Sequence, residues 1–247
     1  MSDLAERLSF FVSRVIEARA PDFDWRAAYR TIALSIPEVD GLAKLFELVA
    51  ADIECNALAG HVNAYHNHLH TLDTIWAMEE LCAAASRIGA ALPASQHVLK
   101  LVMLGHDLRH PGGSGAPAHD LEQKSAHVMA EFARACDVPD HVTAQIVDLI
   151  LSTRPAHQVA MRAAGAGDLL HLIVGEADVM ASLLPGLGLK LGAELTQEMA
   201  AAGEPVEAPF ESPNVRRSFL RAYLNVSPPA QNLGLGAVIA EQVADLR

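Results

Sequence analysis

Apolar residues recur at spacings of three and four along almost the whole chain, the period of helices with one buried face. The pattern predicts helices near 3–18, 25–36, 40–58, 66–88, 94–109, 119–136, 139–152, 168–184, 187–202, 212–225 and 230–245. Pro21, Pro93, Pro139 and Pro155, and Gly186 with Gly188, read as stops between them. Residues 111–118 and 203–210 are rich in Gly and Pro and read as loops. The first of these should be mobile and lie at the mouth of any site built on His106 and His110. No shift of composition marks a boundary, so the 247 residues read as one all-α, compact helical bundle.

Composition sharpens this. Apolar residues make up 51% of the chain and aromatics only 5%, which favours helices packed through Ala and Leu over β-sheet. A net charge of −12 argues against a nucleic-acid binder, which needs a basic face for phosphates. A small phosphate-bearing substrate stays open, because bound cations reverse the local sign. Cys55, Cys82 and Cys136 form no CxxC pair and read as reduced thiols in a cytoplasmic protein. Glu6, Arg7 and Arg14 interrupt the N-terminal pattern, unlike a signal peptide, and the apolar run up to Gly105 is too short for a membrane span. The expectation is a soluble protein, free of membrane and nucleic acid, in which homo-oligomers are open.

The chemistry concentrates in two segments, Tyr65-His66-Asn67-His68-Leu69-His70-Thr71-Leu72-Asp73 and His106-Asp107-Leu108-Arg109-His110-Pro111-Gly112. Imidazoles and carboxylates are ligands for divalent metals. On a helix through 65–76, His66, His70 and Asp73 would share one face. His106 and Asp107 end an apolar run, and a carboxylate at a core edge without a cation costs several kcal/mol. A metal held with His70 and Asp178 as co-ligands removes that cost, and Asp107 can bridge two cations. Asp178 lies in another apolar run, behind Glu176, and completes the set.

The order Y-H-N-x-x-H-x-x-D followed by H-D-x-x-H-P-G resembles the class I cyclic-nucleotide phosphodiesterases, within the HD-domain metal-dependent phosphohydrolases. Leu121-Glu122, Ile150-Leu151-Ser152-Thr153 with His157, and Ala177-Asp178 extend the resemblance over residues 60–185. It implies that His70, His106, Asp107 and Asp178 hold one ion, commonly zinc, with Asp107 bridging to a second, commonly magnesium or manganese. It also implies that His66 protonates the leaving oxygen, that His110 and Glu122 orient water, and that Tyr65 and Phe219 border the substrate. The family reads a purine with a Gln three residues before the clamping Phe. Arg216 stands there and suits an extra phosphate or carboxylate better than a base edge.

The expected activity is hydrolysis of a phosphate ester, with a cyclic nucleotide as first substrate. A nucleotide phosphomonoesterase is the alternative. A di-iron oxygenase would need further ligands, for which His119, His127 and His157 are available. No Gly-Tyr-Pro follows the His-Asp motif, which disfavours the cyclic-dinucleotide branch.

Overall fold

A computed structural model describes residues 2–113, 121–165 and 168–246, and every regular element among them is helical. Loop residues 114–118 and His119 lie outside the described residues. The helices are α1 (Ser2–Glu17), α2 (Trp25–Ala33), α3 (Leu42–Leu58), α4 (His68–Arg87), α5 (Gln96–Gly105), α6 (Leu121–Ala135) and α7 (Asp140–Ser152). They continue with α8 (Pro155–Ala164), α9 (Leu169–Val179), α10 (Leu187–Ala201), α11 (Pro213–Ala222), α12 (Pro228–Asn232) and α13 (Leu235–Asp245). A single 3-10 turn, Ala181–Leu183, joins α9 to α10. No described helix is long and apolar enough to cross a membrane.

The central element is α4, which packs against α1, α5, α9 and α12. Leu72, Ile75, Ala77, Met78 and Leu81 are buried all round it, because it has neighbours on every side. Helix α5 is buried from Val98 to Gly105 for the same reason. Gly105 lets α6 approach: a Cβ there would press into the thioether of Met129. The three helices α4, α5 and α9 thereby meet, and the histidine motifs lie where α4 begins and α5 ends.

Several predicted boundaries move, each for a local reason. The helix expected from 66 begins at His68, because the Asn67 side chain caps it by accepting from the amides of Leu69 (2.8 Å) and His70 (3.3 Å). His66 therefore precedes the helix, and does not share its face with His70 and Asp73. The helix expected to reach 109 ends at Gly105, with Arg109 in the left-handed region at φ 59°. Pro155 starts a helix instead of stopping one, since proline at the first position lacks only an amide that would be unpaired anyway. Gly234, at φ 80°, divides the expected 230–245 helix into α12 and α13.

Candidate metal centre

His70 projects from the first turn of α4, His106 and Asp107 follow the last turn of α5, and Asp178 lies near the end of α9. Their ligand atoms converge. His106 Nε2 is 3.3 Å from His70 Nε2, 3.0 Å from Asp107 Oδ2 and 3.3 Å from Asp178 Oδ1. His70 Nε2 is 3.2 Å from the same Asp107 oxygen and 3.3 Å from Asp178 Oδ1. Adjacent donors bound about 2.0–2.2 Å from one ion lie about 3 Å apart, so this spacing matches a shared cation.

The protonation pattern fits too. His106 Nδ1 is 2.8 Å from the carbonyl of Met103 and donates to it, which leaves Nε2 as the nitrogen that faces the group. Asp107 Oδ2 is buried and accepts no well-aligned hydrogen bond from any described residue, a costly state that a cation relieves. Burial alone would depress the His70 imidazole, but Asp107 and Asp178 outweigh it and raise its pKa to about 9. Burial would raise Asp178, yet the two imidazoles hold it down at about 2. Both shifts express one attraction between two rings and two carboxylates.

A second group, His66, Asp107 and His110, offers ligand atoms within 4.8 Å of one another and shares Asp107 with the first. The His66 and His110 rings stack at 4.0 Å, 18° from parallel. The amide of Gly112 donates to His110 Nδ1 at 3.1 Å, which makes that nitrogen an acceptor and puts the ring proton on Nε2. Burial, and then the neighbouring His66, lower the His110 pKa to about 4, so the ring is a neutral donor. Asn63 secures the same loop by donating to the His110 carbonyl at 2.8 Å.

Sequence reasoning missed Glu198. Its side chain, 3% exposed, comes from α10 and accepts from the amides of Tyr65 (2.8 Å) and His66 (2.9 Å). Its other oxygen takes the His66 ring at Nδ1, 2.6 Å away. Burial would raise this carboxyl, but the His66 ring and the two amides overcome it and hold the pKa at about 2. One signal was legible: Leu191, Leu195 and Glu198 follow one another by four and three, which places an acid on the buried face of α10.

The remaining expected residues lie elsewhere. Asp73 is outside both groups and is paired with Arg19 of the segment after α1, at 2.6 and 3.1 Å. Tyr65 is 8% exposed, its hydroxyl 3.0 Å from Ser182 Oγ, so it packs behind the site and does not border an open pocket. Arg216 is 3% exposed, and its guanidinium is taken by the carbonyls of Ser182 and Leu184 and by Gln242. Gly188 makes room for it, since a Cβ there would strike the guanidinium. Arg216 is therefore an internal tie between α11, the 3-10 turn and α13, its guanidinium already committed to them.

Phe219 is partly buried against Tyr223, with ring centres 5.4 Å apart, and Glu122 is half-buried in the first turn of α6, outside both groups. Neither His127, 67% exposed beside Glu131, nor His157, exposed on α8 near His171, belongs to the cluster. The neighbour of Asp178 in sequence also diverges from it. Glu176 turns into the core, where Arg162 and Ser227 satisfy it.

The cleft that opens onto His66, Asp107 and His110 has a volume of about 340 Å³ and lies between the end of α3, residues 61–63 and residues 107–111. No family model matches this chain, and no curated protein matches it.

Proposed function

We propose that the protein is a divalent-metal-dependent hydrolase of phosphate esters, as the resemblance of its two histidine motifs implies. The observation that carries this reading is the convergence of His70, His106, Asp107 and Asp178, with Asp107 also lying beside His66 and His110. His70, His106, Asp107 and Asp178 would hold one ion, zinc by their donor types, and Asp107 would bridge to a second, magnesium or manganese. Bound there, the ions would lower the pKa of a water between them and shield the oxygens of a phosphate.

The chain's own groups do the rest. As a water oxygen forms a bond to phosphorus and the ester P–O bond breaks, the departing oxygen needs a proton. His66 is the donor: Glu198 holds its Nδ1, so Nε2 is the atom that exchanges the proton. The Nε2–H of His110 stands beside it to orient a water or a phosphate oxygen. A cyclic nucleotide is the first substrate to try, and a nucleoside monophosphate the second. His127 and His157 lie outside both groups, so a di-iron oxygenase would have to take its further ligands from His66 and His110.

The test is reconstitution with zinc plus magnesium or manganese, followed by assay on cyclic nucleotides, nucleoside monophosphates and bis-aryl phosphates. Turnover should vanish in Asp107→Ala together with metal at both positions. In His66→Ala the metals should stay and turnover should fall by about 10²–10⁴-fold. That loss should shrink on nitrophenolate esters, whose leaving group needs no proton. Full metal loading without cleavage of any phosphate ester would sink the reading.

A further inference from the structure

The open cleft lies on the α3 side of the histidine cluster, whereas the α11 side is closed by Tyr65, Ser182 and Arg216, which hold one another. At about 340 Å³ it falls within the range of small-molecule sites, about 300–1,000 Å³. Its floor is His66, Asp107 and His110. Its walls include Ile53, Ala57 and Val62 from the end of α3 and the segment after it. Asn56 and Asn63 also line it, and each has its amide nitrogen engaged, on Asp52 and on the His110 carbonyl. Their Oδ1 atoms accept from no described residue and so are free to accept from a ligand.

Among the described residues the guanidinium of this lining is Arg109, which spends two nitrogens on Asp52 at 3.1 and 2.7 Å. Of the two further imidazoles, His61 is exposed, and burial and then Arg26 lower the His68 pKa to about 4. A second anionic group deep in the cleft would meet the Asp107 carboxylate and a guanidinium already paired with Asp52, so its desolvation would be costly.

We infer that the substrate carries a single phosphate on an uncharged body, and that this body lies in the α3 cleft, on Ile53, Ala57 and Val62, donating hydrogen bonds to Asn56 and Asn63. The inference rests on the proposed phosphate chemistry for its anchor, and on the cleft alone for the body. It replaces the expectation that Arg216 receives a second anion.

Calorimetric binding to the metal-loaded protein tests it with three probes: inorganic phosphate, phenylphosphonate and 4-carboxyphenylphosphonate. Phenylphosphonate should bind more tightly than its carboxylated analogue. In Ala57→Trp, and independently in Val62→Trp, its affinity should drop about 10-fold or more as the ring loses its place. Inorganic phosphate should bind all three proteins alike, which also reports that the variants are folded and loaded. Unchanged phenylphosphonate affinity in both variants, or tighter binding of the carboxylated probe, would overturn the inference. If none of the probes binds, the inference and the hydrolase reading fall together. If the binding pattern holds but no ester is cleaved, the hydrolase reading falls and the cleft assignment stands.

Discussion

Glu198 and His66 form the most consequential residue pair, because the carboxylate sets both the position and the tautomer of the ring that would move the proton. Replacing Glu198 by Gln keeps the shape but removes the charge that ties down Nδ1. Supporting carboxylates of this kind are worth about 10–100-fold. We expect Glu198→Gln to lower kcat by about that factor with bound zinc unchanged by elemental analysis and KM little altered. A loss of zinc instead would move Glu198 from support of His66 to support of the ligands. At this scale the convergence of His70, His106, Asp107 and Asp178 was legible, since His and Asp at an apolar boundary have few other uses. The support was not, because Glu198 is 132 residues from His66 and only packing brings them together.

Helices were read well where a strong apolar period runs between clear stops, as in α3, α6 and α7. They were misread where a side chain overrules the period. Asn67 starts α4 two residues late by satisfying its first amides, and Pro155 opens α8 where it was expected only to end α7. The function of α8 shows in Gln158, which donates to the carbonyls of Ser152 (2.7 Å) and His171 (3.0 Å) and so joins α7 to α9. Gly175 of α9 leaves the space for it, since a Cβ there would overlap the Gln158 amide. Gly175→Ala should therefore destabilise by about 1–3 kcal/mol, although alanine is the better helix former. Denaturant titration would read this directly. A gain in stability would mean that the Gln158 bridge contributes nothing.

Across the whole molecule, the cluster couples folding to pH and metal. In the metal-free protein His70 has a pKa raised to about 9, from about 6.5 when unfolded. Its contribution is thus complete below about pH 6.5 and lost as the pH climbs to about 9. An ion needs the same nitrogens bare, so its binding strengthens over that window. The metal-free Tm should fall between pH 6.5 and 9, and the rise in Tm on adding zinc should grow. A rise that stays constant across this range would place the ion on other residues. The all-helical class was legible from composition and period, but the position of the cleft was not. It depends on Arg216 filling one side and α3 leaving the other open, and neither follows from spacing along the chain.

The reach of Glu198 back to the amides of Tyr65 and His66 also orders events during synthesis. Chains emerge from the ribosome N-terminus first. The two histidine motifs, Asp107 included, come out before Asp178. Only after residue 178 has emerged can the four side chains of the cluster converge, and only after residue 198 can the His66 ring gain its carboxylate partner. The nascent chain therefore passes through a stage in which both histidine motifs are present and the His66 ring has no carboxylate partner from α10.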